Sequence, residues 1–223
     1  DCELIARWLM TDEYKPHSKG FYHAYSLKSL TRLRDRLVRQ RSFYLVKLTN
    51  VLDHTFPEFK PFFQERFSKT ALYLLETYGS AEKMARMNSA SYEKLRSISR
   101  GKFSPQQFIR LKELAANTVG VNNSIFDVEL GSLLSLYKSL VYEIETLERE
   151  INRLVEEVHP HYMSIPGIGP ISAAIIYAEY GDISNFSNPN QMLAFAGIEP
   201  SVHESGTEAY NGRMVKHGSS RLR

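Results

Sequence analysis

The chain has 223 residues, with 28 Lys+Arg against 25 Asp+Glu, a formal net charge of +3 and 43% hydrophobic residues. That apolar content supplies one large or two small cores and excludes a disordered chain, which would be poorer in apolar residues and more highly charged. One cysteine, Cys2, excludes an internal disulfide framework and a Cys-based zinc cluster and fits a reducing cytoplasm; the longest apolar run, Ile171–Ala178, is too short to span a bilayer.

Asp1 to Met10 reads as a short amphipathic helix with Leu4, Ile5, Trp8 and Leu9 on one face. A polar loop from Thr11 to Gly20 follows. The pattern then predicts a long helix over about Leu27–His54, apolar at Leu30, Leu33, Leu37, Tyr44, Leu48 and Val51. Its outer face is basic: Arg32, Arg34, Arg36, Arg39 and Arg41 lie between Lys28 and Lys47, with Asp35 the one acid among them. Pro57 stops this helix, and Phe56–Gly120 reads as several short helices. Ser104-Pro105 is a helix start, and the phenylalanines from Phe56 to Phe67 recur at helical spacing, as a core does.

Asn123–Val158 is the clearest element. Tyr137, Leu140, Ile144, Leu147, Ile151, Leu154 and Val158 alternate steps of three and four, a heptad seam with mostly acidic flanks. The basic and the acidic helix suit pairing with each other, and both suit a dimer; the sequence alone leaves both open. After Pro160 the texture changes to Gly and small residues. The expected division is therefore 1–20, 21–158 and 159–223. The expected class is mainly α: long coiled-coil-forming helices with a helical insertion, then a small helix-hairpin-helix domain with a basic loop.

The C-terminal part holds the motifs that carry chemistry. Ile165-Pro-Gly-Ile-Gly-Pro170 before an apolar helical run reads as a helix-hairpin-helix, in which Gly167 and Gly169 bring backbone N–H groups close to a phosphate. Such a hairpin grips a nucleic-acid backbone without reading bases. A plain glycine connector has the same sequence signature. Asn188-Pro189 opens another helix. Ser205-Gly206 lies on the expected basic loop, followed by Arg213, Lys216, Arg221 and Arg223 with no acid after Gly212. Cations of this kind would stabilise negative charge developing at a phosphodiester, although a solvated basic end would look the same.

In order, Ser164-Ile-Pro-Gly-Ile-Gly-Pro170, Ala178-Glu-Tyr-Gly-Asp-Ile-Ser-Asn-Phe186, Ala196-Gly-Ile-Glu-Pro200, Glu204-Ser-Gly206, Met214-Val-Lys-His-Gly218 and Arg221-Leu-Arg223 resemble one family. It is the bacterial insertion-sequence transposase family with an N-terminal DEDD RuvC-like domain and a C-terminal domain carrying a catalytic serine, which includes the bridge-RNA-guided recombinases. The basic helix, the helical middle and the heptad helix look like that family's coiled-coil linker. Asp1-Cys-Glu-Leu-Ile-Ala6 resembles the second half of a family motif that carries the last two DEDD acids, with Cys2 in place of Ala.

The resemblance implies that Ser205 attacks a DNA phosphodiester and forms a covalent protein–DNA link. It implies Mg²⁺ as cofactor, with Asp1 as one of its acids. Arg213, Lys216 and Arg221, the glycines Gly167 and Gly169, and Arg32, Arg36 and Arg39 of the basic helix become expected nucleic-acid contacts. The implied partners are DNA, a structured guide RNA and a second copy of the chain, with no membrane. The chain, which opens on Asp1 inside a helical pattern and closes on Arg221-Leu-Arg223, is expected to be an inactive piece of a longer enzyme. The alternative, from the residues alone, is a non-catalytic helix-hairpin-helix module that binds DNA or RNA and oligomerises through its coiled coil.

Overall fold

The computed structural model of the chain describes residues 2–11, 19–63, 67–181, 183–205 and 208–223, and for residues 8, 9, 11, 19–23, 184, 202–205 and 208–211 the backbone alone. The fold is mainly α. In chain order the helices are α1 (Cys2–Thr11), α2 (Lys19–Thr55), α3 (Phe59–Phe62), α4 (Lys69–Thr77), α5 (Ala81–Ala85), α6 (Ser89–Ile98), α7 (Pro105–Ala116), α8 (Ser124–Val158), α9 (Pro170–Tyr180) and α10 (Pro189–Ala196). Strands β1 (Pro200–Ser205) and β2 (Glu208–Met214) follow. The chain divides into two compact units, one formed by Asp1–Arg36 with Glu145–Arg223 and the other by Leu37–Ile144, so α2 and α8 each contribute to both.

The Leu37–Ile144 unit is built on the facing apolar stripes of the two long helices. Leu48, Val51 and Leu52 of α2 and Leu130 and Leu134 of α8 share a core with Leu74, Leu75, Met84, Leu95 and Leu111 of the short helices. Phe56 and Phe59 are buried in it and Phe62, Phe63 and Phe67 pack against it, as their spacing predicts. The short helices start where the sequence caps them. The Ser104 hydroxyl accepts from the Gln107 amide at 3.1 Å while the Gln107 side chain accepts from the Ser104 amide at 2.8 Å, with Pro105 in the first turn. Glu58 ties the start of α3 to the segment before α8: it accepts from the Thr118 hydroxyl at 2.6 Å and the Val119 amide at 3.0 Å. Burial pushes this carboxyl up, but those donors together hold it below its ordinary value.

In the other unit, Leu27 of α2 meets Ile151, Leu154 and Val155 of α8 and Ala173, Ala174 and Ala178 of α9 in a second core. The small α9 residues present almost no side chain, so the leucine and isoleucine fill the space against its backbone. Arg34 of the basic helix donates to Glu148 of the acidic helix at 2.8 Å from Nε and 2.6 Å from Nη2, so the two helices pair within one chain here. In α1, Leu4 and Ile5 are exposed, and the side chains of Trp8 and Leu9 lie outside the described atoms.

Candidate functional site

The segment after α8 turns sharply. A one-turn 3-10 helix, His161–Ser164, stands where the first helix of a helix-hairpin-helix is expected. Pro166 accounts for its shortness: it has no N–H to continue a helix and pushes Ile165 into extended backbone, where its φ is −76° and ψ 122°. Gly167 follows with φ +96°, and Gly169 is the N-cap of α9 in extended backbone, with no side-chain cap bond. Both glycines are exposed. Tyr162 reaches over to donate to the Ala173 carbonyl at 3.2 Å. Burial, with the neighbouring Tyr177 adding to it, pushes its phenol up to about 12.

Helix α10 starts on Asn188, whose side chain accepts from the Gln191 amide at 3.0 Å, and it ends at Gly197 in the left-handed region. Beyond it the chain forms a two-stranded antiparallel hairpin rather than the expected basic loop. Val202, His203, Glu204 and Ser205 pair with Asn211, Tyr210, Ala209 and Glu208, with an irregularity between Pro200 and Val202. Ser205 is the last residue of β1, at the end of the hairpin away from its root. Its side chain lies outside the described atoms, as do all atoms of Gly206 and Thr207.

The root is stapled to α10 by the chain that follows. Val215 N–H donates to the Glu199 carbonyl at 2.9 Å, Lys216 N–H to Gly197 at 3.2 Å and Ser219 N–H to Phe195 at 3.1 Å. The approach is so close that a Cβ on Gly218 would lie 2.0 Å from the Phe195 carbonyl oxygen. Gly197, with φ +70°, would place a Cβ 2.6 Å from the Gly218 amide nitrogen. Arg223 completes the staple, donating from Nη1 to the Ala196 and Gly218 carbonyls, each at 3.1 Å.

A buried acid that the motifs did not single out lies beneath this root. Glu179, in the last turn of α9, has a side chain 4% exposed. It accepts from Arg32 Nε at 3.2 Å and from Arg32 Nη2 at 3.1 and 3.2 Å to its two oxygens. Lys28 Nζ stands 3.8 Å away, and the Ser219 hydroxyl donates to Oε2 at 3.2 Å. The carboxylate thus joins α2, α9 and the C-terminal tail, and no separation pattern in the sequence could have linked Arg32 to a residue 147 positions away.

Of the residues expected to contact nucleic acid, Arg32 holds Glu179 with its side chain still 43% exposed, and Arg221 donates from Nη2 to Asp35 at 3.3 Å. Arg36 shares an open groove of about 240 Å³ with Tyr25, Lys28, Ser29 and Arg32. Arg213 and Lys216 are exposed beside the hairpin root. Arg39, also exposed, belongs to the Leu37–Ile144 unit. Asp1 lies outside the described residues, and among the described residues no group of three or more His, Cys, Asp or Glu is placed to hold a metal ion. Magnesium needs several oxygen ligands, so the described acids do not form that site. No described helix is long and apolar enough to cross a membrane.

Comparison with known proteins gives one answer. Residues 160–223 match the sequence profile of the Transposase IS116/IS110/IS902 family. The chain is 33% identical over 103 residues to a probable family 20 transposase of Pseudomonas aeruginosa, covering 42% of this chain and 30% of that protein. It is 27% identical over 202 residues to the transposase for insertion sequence element IS1111A of Coxiella burnetii, covering 88% of this chain and 43% of that protein. An insertion element IS110 protein of Streptomyces coelicolor is 29% identical over 159 residues, covering 68% and 38%. The chain therefore spans less than half the length of these relatives and is similar to them along much of its own length, while the family profile matches residues 160–223, which hold α9, α10, the hairpin and its stapled root.

Proposed function

We propose that the chain is the linker and serine-bearing part of an insertion-sequence DNA transposase, and that Ser205 is the nucleophile of strand exchange. The observation that carries this reading is the place of Ser205: at the far end of a hairpin whose root is stapled to α10, within the segment that matches the transposase family. In the proposed step the Ser205 Oγ–H gives up its proton, an Oγ–P bond forms and a P–O bond to deoxyribose breaks. The leaving sugar oxygen takes a proton. One phosphodiester replaces another, so its energy is kept for rejoining. The exposed cations Arg213 and Lys216 stand at the root of the same hairpin, where they would hold the DNA backbone beside the reacting phosphodiester rather than the phosphate itself.

Arg36 and Arg39 contact phosphates along α2 in this reading, and Arg32 and Arg221 do so from ion-paired positions. Gly167 and Gly169 let the backbone at the start of α9 approach nucleic acid. The longer protein supplies the DEDD acids with which Asp1 would bind Mg²⁺, a structured guide RNA directs the choice of DNA, and a second copy joins the assembly. Exposed Phe43 and Leu136, which line one groove of the Leu37–Ile144 unit, support an interface between copies. The functional division remains 1–20, 21–158 and 159–223, and the 223 residues alone are inactive.

The test uses the chain within its longer parent, with duplex DNA carrying the ends of its element, RNA transcribed from the element's non-coding end, and Mg²⁺. A protein–DNA adduct that survives denaturation and is lost in Ser205→Ala is expected. DNA cleavage without any adduct would reduce Ser205 to a structural residue. Salt-sensitive binding with neither adduct nor cleavage would favour the non-catalytic binding module.

A further inference from the structure

We infer that Glu179 is a positioning residue for the serine hairpin: its buried carboxylate fixes the C-terminal tail that staples the hairpin root. The inference rests on the reading of Ser205 as nucleophile.

The site is an unfavourable one for an acid. Glu179 lies in the last turn of α9, where unpaired backbone carbonyls carry partial negative charge, and its side chain is withdrawn from water. The charge is held there by the two-oxygen contact of Arg32 and by Lys28, both on α2. What this arrangement leaves available is Oε2 as an acceptor, and the Ser219 hydroxyl uses it at 3.2 Å.

Ser219 is the point where the tail meets the hairpin root. Its N–H donates to the Phe195 carbonyl at the end of α10, one residue beyond Gly218, whose backbone lies against Phe195 and Ala196. Three residues earlier, Lys216 N–H is bonded to Gly197, and Val215 N–H to Glu199, next to the first residue of β1. A hydrogen-bonded path therefore runs from the Glu179 carboxylate through Ser219 and residues 218–215 to the strand that ends in Ser205. Displacing a reacting group by about 1 Å can cost on the order of 100-fold in rate, so slack at the root would be felt at the far end.

Two variants and two readouts test this. Glu179→Gln keeps the size of the side chain, and Arg32 and Lys28, whose side chains are 43% and 37% exposed, can turn to water. Ser219→Ala removes only the tail's bond to the acid. In the 223-residue chain, hydrogen exchange is followed at the Val215, Lys216 and Ser219 amides, and both variants should speed it by at least about tenfold. In the longer parent, adduct formation on element-end DNA should slow by roughly 10- to 100-fold in Glu179→Gln, with the DNA Kd within about threefold of the original. The double variant should be no slower than Glu179→Gln alone, because the Ser219 effect passes through the acid.

Unchanged exchange in Glu179→Gln would overturn the anchoring. Faster exchange with an unchanged adduct rate, or a loss of DNA affinity as large as the loss of rate, would overturn the positioning role. If Ser205→Ala still formed the adduct, the nucleophile reading itself would fall, and with it the link to Ser205. The exchange measurement, which involves no chemistry at Ser205, would still show whether the acid holds the tail.

Discussion

Leu27→Ala probes the core that holds α9 and the last turns of α8 in place. Leu27 is 0% exposed and packs among Ile151, Leu154, Val155, Ala173, Ala174 and Ala178. Truncation removes an isopropyl group, about 2.4 kcal/mol at roughly 0.8 kcal/mol for each buried carbon. The neighbours cannot close the gap cheaply, because three of them are alanines with no rotamers to swing inward. A cavity penalty adds to the transfer loss, and a total of about 3–4 kcal/mol is expected. Tyr25→Ala, two residues earlier on the same helix, is the control: Tyr25 is 67% exposed, and its loss should cost less than about 0.5 kcal/mol. Alanine raises helix propensity at both positions, by roughly a few tenths of a kcal/mol more at Tyr25, which is too little to account for the expected difference. Native-state hydrogen exchange at the α9 amides, such as Ala173 N–H bonded to Gly169 at 2.9 Å, reports the stability of this core without requiring the whole chain to unfold at once. A loss below about 1.5 kcal/mol for Leu27→Ala, or an equal loss for Tyr25→Ala, would refute the reasoning.

Gly218→Ala should release the hairpin root, since its Cβ would lie 2.0 Å from the Phe195 carbonyl oxygen and 2.5 Å from the Ala196 carbonyl carbon. A local loss above about 2 kcal/mol at the Lys216 and Ser219 amides is expected, whereas Gly169→Ala, with nothing within 4 Å of the new carbon, should cost only the loss of a glycine N-cap, less than about 1 kcal/mol. Tyr162 gives a pH signature. Its folded value of about 12 lies above the ordinary 10.0, so its contribution is complete below pH 10 and is lost as pH rises towards 12. Tyr162→Phe should remove that part of the alkaline stability slope and cost about 1 kcal/mol at neutral pH, read from denaturant titrations across the range.

The helices were legible because their signals are local. Ser104-Pro105 and Asn188-Pro189 start helices as read, and the acidic helix stands within a residue of its expected ends; the basic helix ends within a residue of His54 but starts eight residues before Leu27, taking in the end of the expected Thr11–Gly20 loop. The seam on α8 was legible only in part. Ile144, Ile151 and Leu154 are buried as the heptad predicts, but Val155 is buried and Val158 half-exposed. A helix with 3.6 residues per turn drifts by about 20° per heptad, and the buried stripe follows the drift. The hairpin was missed although a signal was present: Ser205 pairs with Glu208, and a glycine first of the two intervening residues is a tight-hairpin signature. The roles of Arg32, Arg221 and Glu179 could not be read, because each depends on a partner far along the chain.

The discontinuity of the Leu27 core has a consequence for how the chain is made. The residues of the Leu37–Ile144 unit are contiguous, so all of its core partners are available once residue 144 has left the ribosome. Leu27 is synthesised early but waits for Ile151 and Ala173, and the hairpin waits for Ser219 and Arg223 behind it. Closing those long loops is the slow, late part of folding. On a nascent chain the serine-bearing strands are therefore fastened only after Ser219 and Arg223 have emerged, so a ribosome stalled before Ser219 would hold a formed helical insertion and a hairpin without its staple.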